Sequence, residues 1–130
     1  MSSSAPKPIL LSWATCDGVH VDPATGKFYL LGIFSGIRAQ NFPCTHPRML
    51  WFLLLTELTE GDHVLKISLG LPTEPPRTAV ERPFKAQGPL QRVHLINEVK
   101  NAQFPRPENY SLIIEVDDDP LLVTNFPVAE

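Results

Sequence analysis

Two cysteines and two histidines are spaced in a way that could bind a metal ion. Cys16 precedes His20 by four positions, and Cys44 precedes His46 by two. Thiolates and imidazoles are the usual ligands of tetrahedral Zn²⁺, and a Cys-x-His step on an extended strand places both side chains on one face. The spacing does not match a familiar zinc signature. We therefore expect no metal and no cofactor, and we interpret both cysteines as reduced, partly buried thiols.

Aspartates near the two ends of the chain form a second candidate set. Asp17 and Asp22 could supply oxygen ligands to Ca²⁺ together with Asp117, Asp118 and Asp119 if the first and last loops lie at the same end of the fold. Aspartate is also common in turns, because its carboxylate accepts hydrogen bonds from nearby backbone amides. The turn role is the favoured interpretation, and a metal- or ligand-binding domain is the alternative function.

A hydrolytic site would require a nucleophile beside a histidine. Cys16 with His20 or His63 as the base is the available combination. The sequence aligns no orienting carboxylate with either pair. We expect no catalytic residues and no enzymatic activity, and a hydrolase of unknown type is the remaining alternative.

The elements that position these residues are predicted to be β-strands. Short apolar runs recur along the chain, and each is ended by Pro, Gly, Asn or Asp within about a dozen residues. Fourteen prolines against seven glycines disfavour helices. With 130 residues, 43% of them hydrophobic, the chain can form one core. We predict a disordered tail over residues 1–8 and one all-β domain over residues 9–130, an antiparallel immunoglobulin-like sandwich of seven to eight strands.

Individual strands follow from the alternation of apolar and polar residues. An Asp-Gly pair ends the first strand, and residues 97–106 are predicted to be mostly connection. Residues 23–26 (Pro-Ala-Thr-Gly) predict a reversal, and the acidic residues 117–119 predict the turn of a terminal hairpin. The predicted strands cover residues 9–16, 28–35, 48–58, 65–71, 77–84 (an edge strand), 90–96, 110–116 and 121–128.

The segment 48–58 is apolar on both faces. It also contains good helix formers, but a reversal and an alternating strand follow it closely, which favours a strand. In a sandwich only one of its two faces can meet the core. An apolar outer face is typically covered by a loop, a partner or a second copy of the chain. The two alternating sets are Met49, Trp51, Leu53 and Leu55, or Leu50, Phe52, Leu54 and Leu58.

This apolar excess is the basis of the functional prediction. We expect a non-enzymatic interaction or structural module that acts through self-association or through docking to another protein. The expected interface residues are Leu50, Trp51, Phe52 and Leu54. Trp13, Trp51 and Phe52 could alternatively form an exposed stacking platform, although large aromatic residues more often belong to the core.

Asn109 and Tyr110 stand just before the penultimate strand. This position resembles the tyrosine corner of immunoglobulin-like sandwiches, in which the tyrosine hydroxyl bonds to backbone a few residues upstream. The alternative is an inward-facing tyrosine whose hydroxyl is solvated.

Both ends of the domain carry a family resemblance. Residues 16–19 (Cys-Asp-Gly-Val), 25–27 (Thr-Gly-Lys) and 31–35 (Leu-Gly-Ile-Phe-Ser) resemble the start of a family of small bacterial β-sandwich proteins of unknown function. Residues 109–112 (Asn-Tyr-Ser-Leu) through 120–123 (Pro-Leu-Leu-Val) are similar to the last hairpin of that family, with Asn109 where the family tends to have glycine. The resemblance implies a fold, and it carries no information about an activity.

Charge and hydropathy exclude other classes of partner. Eleven basic and fourteen acidic residues give a net charge of −3, and the basic residues are scattered, so we expect no binding to nucleic acid. The longest apolar run, residues 49–55, is too short to cross a bilayer, and residues 9–11 are too short for the core of a signal peptide. We expect a cytoplasmic protein with no membrane contact.

Overall fold

A computed structural model describes residues 7–130. This part of the chain forms nine strands. Their apolar and β-branched residues alternate with polar ones, as expected for strands with one face in a core. None of the elements in this range is a helix that could span a membrane. The strands are β1 (Ile9–Val21), β2 (Phe28–Phe34), β3 (Ile37–Arg38), β4 (Cys44–Thr56), β5 (Gly61–Gly70), β6 (Arg77–Ala86), β7 (Val93–Phe104), β8 (Glu108–Val116) and β9 (Asp119–Ala129).

The strands form two sheets, which confirms the all-β prediction. One sheet has the order β2-β1-β4-β7, and the other has the order β3-β9-β8-β5-β6. Neighbouring strands are antiparallel except β3 and β9, which are parallel. The predicted seven to eight strands omit β3. Its two residues, of which Ile37 is buried opposite Val128, are too short to produce a sequence pattern.

The core lies between the sheets, and one face of β4 contributes to it. The apolar segment predicted at residues 48–58 forms a strand, and its residues that point into the core are Met49, Trp51, Leu53 and Leu55. The ring of Trp51 stacks on Trp13 at 6.0 Å between centroids and lies 5.7 Å from Phe126. Trp13 and Trp51 are therefore packing residues and do not form an exposed platform.

Several predicted boundaries differ from the structure, two of them because polar residues lie within strands. The pair Asp17-Gly18 does not end β1, which continues to Val21 by pairing with β2. Residues 97–104 are not a connection, because β7 pairs with β4 as far as Phe104. Polar residues are tolerated there because β7 is an edge strand whose outer face meets solvent.

The turns and the last hairpin agree with the sequence. Residues 23–25 form the predicted reversal, in which Asp22 Oδ1 accepts a hydrogen bond from the amide of Ala24 at 2.9 Å. In β8 the alternating residues from Tyr110 to Val116 point into the core. Asp117 and Asp118 form the two-residue loop between β8 and β9, both at positive φ. Of the predicted tail, residues 1–6 lie outside the described residues.

Candidate interaction surface

The hairpin of β1 and β2 bends back over the outer face of β4. The pairing of β1 with β4 ends at Cys16, opposite Leu50, whereas Phe28 of β2 pairs with Val21. A straight strand would carry that pair about 17 Å beyond Cys16, away from the middle of β4. Instead, the Phe28 ring lies 6.1 Å from the ring of Phe52. The far half of the hairpin therefore covers this face of the sheet.

Phe28 also contacts the neighbouring strand. Its ring centroid lies 5.2 Å from that of His94 on β7, and the rings of Phe52 and His94 are 6.0 Å apart. The three rings form one cluster on the outside of the four-stranded sheet. The cluster fixes the hairpin to the two strands that it covers.

A glycine permits the bend. Gly32 has a φ of +69°, a conformation that L-residues with a side chain rarely adopt. A Cβ at this position would lie 2.5 Å from Oδ2 of Asp17 on the paired strand. Glycine at position 32 therefore allows a backbone conformation that a residue with a side chain would not adopt here.

The predicted interface residues of β4 are covered within the chain. Trp51 is completely buried in the core, and Leu50 and Phe52 are only 6% and 9% exposed on the outer face. Leu54 is half-buried. Leu58, which the alternation groups with the outer set, lies beyond the end of β4 and packs in the core. Of the three coverings considered from the sequence, a segment of the chain itself, the hairpin, covers this face at Phe52.

The apolar surface that remains exposed lies on β2. Tyr29, Leu31 and Ile33 are 52%, 53% and 64% exposed, respectively. They alternate along the strand with residues that are half-buried, among them Phe28. Because β2 is at the edge of its sheet, no strand of residues 7–130 lies beside the backbone groups on its outer side. An apolar row next to a free strand edge is suited to association with protein.

The four candidate zinc ligands are not assembled into a site. Cys16 is buried beside Leu50, and burial raises the pKa of its thiol, which disfavours a reactive thiolate. His20 is exposed. Cys44 and His46 are half-buried on β4, and both thiols are free. Within residues 7–130, no three His, Cys, Asp or Glu side chains are grouped so that they could hold a metal ion.

Two of the aspartates, Asp22 and Asp118, have structural partners. Asp22 accepts hydrogen bonds within its own turn, from the amide of Ala24 and, at 3.0 Å, from the hydroxyl of Thr25. Asp118 lies 3.5 Å from Lys66 in an ion pair. The contacts of Asp22 match the turn role predicted for the acidic residues.

The buried ring of His63 and the exposed carboxylate of Asp117 form a cluster that sequence reasoning did not find. The Nδ1 atom of His63 lies 2.6 Å from Asp117 Oδ2, and its Nε2 atom lies 2.7 Å from the backbone oxygen of Thr59. Asp117 Oδ1 also accepts a hydrogen bond from the amide of Val64 at 2.8 Å. The ring stacks on Phe84. The cluster ties the β4–β5 loop and β5 to the last hairpin.

The cluster favours the charged form of the imidazole. Burial of His63 opposes its protonation, but the hydrogen bonds to Thr59 and Asp117 outweigh burial and raise its pKa above the ordinary value. Both ring nitrogens face acceptors, so both are protonated in the bonded arrangement. Both nitrogens are then occupied by the bonds to Asp117 and Thr59.

A groove lies elsewhere, between the edge strands β6 and β7. Its volume is about 540 Å³, and its lining includes the core residues Phe104 and Tyr110. Arg77 and Lys100 also line it. It contains no catalytic pair or metal cluster among the described side chains.

Comparison with known proteins identifies a family without assigning an activity. Residues 11–129 match the family whose description is "Family of unknown function (DUF6941)". No curated protein matches the chain. The matched range includes all nine strands except the outermost residues of β1, so the family and the fold coincide along the chain.

Proposed function

Since the chain belongs to the DUF6941 family, whose function is unknown, we propose a function from its own surface: a non-enzymatic structural module that self-associates. The observation that carries this proposal is the exposed apolar row of Tyr29, Leu31 and Ile33 on β2. Single exposed apolar residues are common, but a contiguous row on one strand is typical of an interaction surface. Removing such side chains from water is favourable, at about 25 cal/mol for each Å² of apolar surface.

A second copy of the chain is the occupant that this row fits. The seven residues of β2 carry no charge, so two copies can approach without opposing like charges. The row also has no basic or acidic residue that would select a partner of opposite charge. Self-association through the same patch on both copies is the commonest symmetric arrangement of soluble proteins.

The enzymatic and metal-binding alternatives have less support. The thiol of Cys16 is buried, and the ring nitrogens of His63 are engaged by Thr59 and Asp117. Asp22 caps its own turn, and Asp118 forms an ion pair with Lys66. Because these polar groups make contacts within the fold, they support a role in assembly better than a role in catalysis or metal binding.

Two finer features belong to the same proposal. We propose an immunoglobulin-like arrangement, which is supported by the parallel pairing of β3 with β9 and by the bond from the Tyr110 hydroxyl to the Arg106 carbonyl. We also propose a cytoplasmic location, which is supported by the two free thiols of Cys16 and Cys44.

Sedimentation velocity over a range of protein concentrations tests self-association. We expect the weight-average sedimentation coefficient to rise with concentration, from the value of a 14.5 kDa monomer toward that of a dimer. Because the proposed contact is apolar, the rise should persist at high salt, where associations between charged surfaces weaken. A coefficient that stays at the monomer value at every concentration would refute the proposed function.

A further inference from the structure

We infer that two copies associate edge to edge through β2, so that their four-stranded sheets join into one sheet of eight strands. This inference rests on the proposed self-association and specifies its geometry. An edge strand presents unpaired N–H and C=O groups, and pairing them with another strand satisfies both partners. The apolar row of Tyr29, Leu31 and Ile33 then adds side-chain contacts to the backbone pairing.

The composition of the edge strands points to β2. Proteins protect free edges with charged residues, prolines or very short strands. β6 carries four charged residues and Pro83, β7 carries Glu98 and Lys100, and β3 has two residues. Among the four edge strands in residues 7–130, β2 is the one with neither a charged residue nor a proline. This edge therefore lacks the charges that protect β6 and β7 and the proline that protects β6.

The order of residues in β2 suits antiparallel pairing with itself. A two-fold axis at Leu30 places Tyr29 of one copy opposite Leu31 of the other, and the symmetry repeats this pair. An aromatic ring opposite an aliphatic side chain is a favourable cross-strand pair. Lys27 falls opposite Ile33 in this register, so the charge at the start of the strand meets no like charge.

A matched pair of charge substitutions tests this geometry. Leu31→Lys places a cation on the proposed edge, and Leu90→Lys makes the same change at a leucine that is 93% exposed in a loop outside every strand. We expect Leu31→Lys to raise the dissociation constant of the dimer by about tenfold or more, because the substitution removes the aliphatic partner of Tyr29 and places two cations at diagonal positions across the joint. Leu90→Lys should leave the constant unchanged. Equal thermal midpoints at low concentration show that both variants fold.

Hydrogen exchange of the wild-type protein provides a test without substitutions. Amides of β2 should exchange more slowly at high concentration than at low concentration, whereas amides on the charged edge β6 should not change. A dimer with unchanged β2 exchange, or equal affinity for both lysine variants, would overturn edge pairing and leave self-association intact. A protein that remains monomeric throughout would overturn the proposed function itself.

Discussion

The hydroxyl of Tyr110 makes a specific contribution to stability that can be measured. Tyr110 is 3% exposed, and its hydroxyl donates a hydrogen bond to the Arg106 carbonyl at 2.7 Å and accepts one from the Arg106 amide at 3.3 Å. Its ring packs edge-on against Phe104, with centroids 5.1 Å apart. Tyr110→Phe removes the hydroxyl and keeps the ring. The substitution therefore isolates the hydrogen bonds that close the loop between β7 and β8.

The loss of stability in Tyr110→Phe depends on whether water can replace the hydrogen bonds of the lost hydroxyl. A hydrogen bond of this kind contributes about 0.5–1.5 kcal/mol, and more is lost when the remaining partner is buried. Arg106 is exposed, so water can solvate its carbonyl and amide in the variant. We expect Tyr110→Phe to lower the free energy of unfolding by about 1–1.5 kcal/mol. For a domain of this length, that corresponds to a decrease in melting temperature of about 3–6 °C.

The other tyrosine in the sequence provides the control. Tyr29 is about half exposed, and Tyr29→Phe removes an equivalent hydroxyl from the surface, with an expected change within about 0.5 kcal/mol. Urea denaturation at low protein concentration, followed by tryptophan fluorescence, measures both variants without a contribution from association. If the two substitutions have equal effects, the Tyr110 hydroxyl behaves as a solvated group and the reasoning about the corner is wrong.

Two further outcomes are expected. The pKa of His63 is higher in the folded state than in the unfolded state, so its bonds to Asp117 and Thr59 stabilise the fold fully below the unfolded pKa, and this contribution is lost as pH rises through the folded pKa. Urea midpoints of the wild-type protein should therefore fall over that pH range. If the urea midpoints of His63→Phe fall as steeply, the loss of stability does not come from His63. Trp51→Ala should lower the free energy of unfolding by about 3–5 kcal/mol because the ring is completely buried. The milder Trp51→Phe should leave the dissociation constant of the dimer unchanged. A weakened dimer in that variant would indicate that Trp51 belongs to the interface.

The strand pattern could be predicted from the sequence because it depends on local alternation. In β4 both faces are apolar, so the sequence predicts a strand with an apolar outer face but cannot select the inward set. The structure selects the set of Met49 and Trp51, because the Trp51 ring fits between Trp13 and Phe126. The covering of Phe52 by Phe28 was not predictable, because it depends on a bend at Gly32 that alternation does not encode.

Contacts between distant segments account for the other differences. The second half of β7 is polar, and it forms a strand because β4 is long enough to pair with it. Asn101, at a φ of +56°, interrupts the alternation there, and Phe104 still reaches the core. His63 and Asp117 are 54 positions apart and meet only because β5 pairs with β8. Neither residue has a neighbour in sequence that would predict the pair.

The hairpin connects the covered face of β4 to the exposed row on β2. A strand that hides an apolar face with its own apolar residues must present its opposite residues to solvent, and in β2 these are also apolar. Covering Phe52 with Phe28 therefore moves the exposed apolar surface from the middle of the sheet to its edge. At an edge, free backbone groups lie beside that surface, so a contact there gains hydrogen bonds as well as burial. The same bend that completes the monomer thus creates the surface on which association depends.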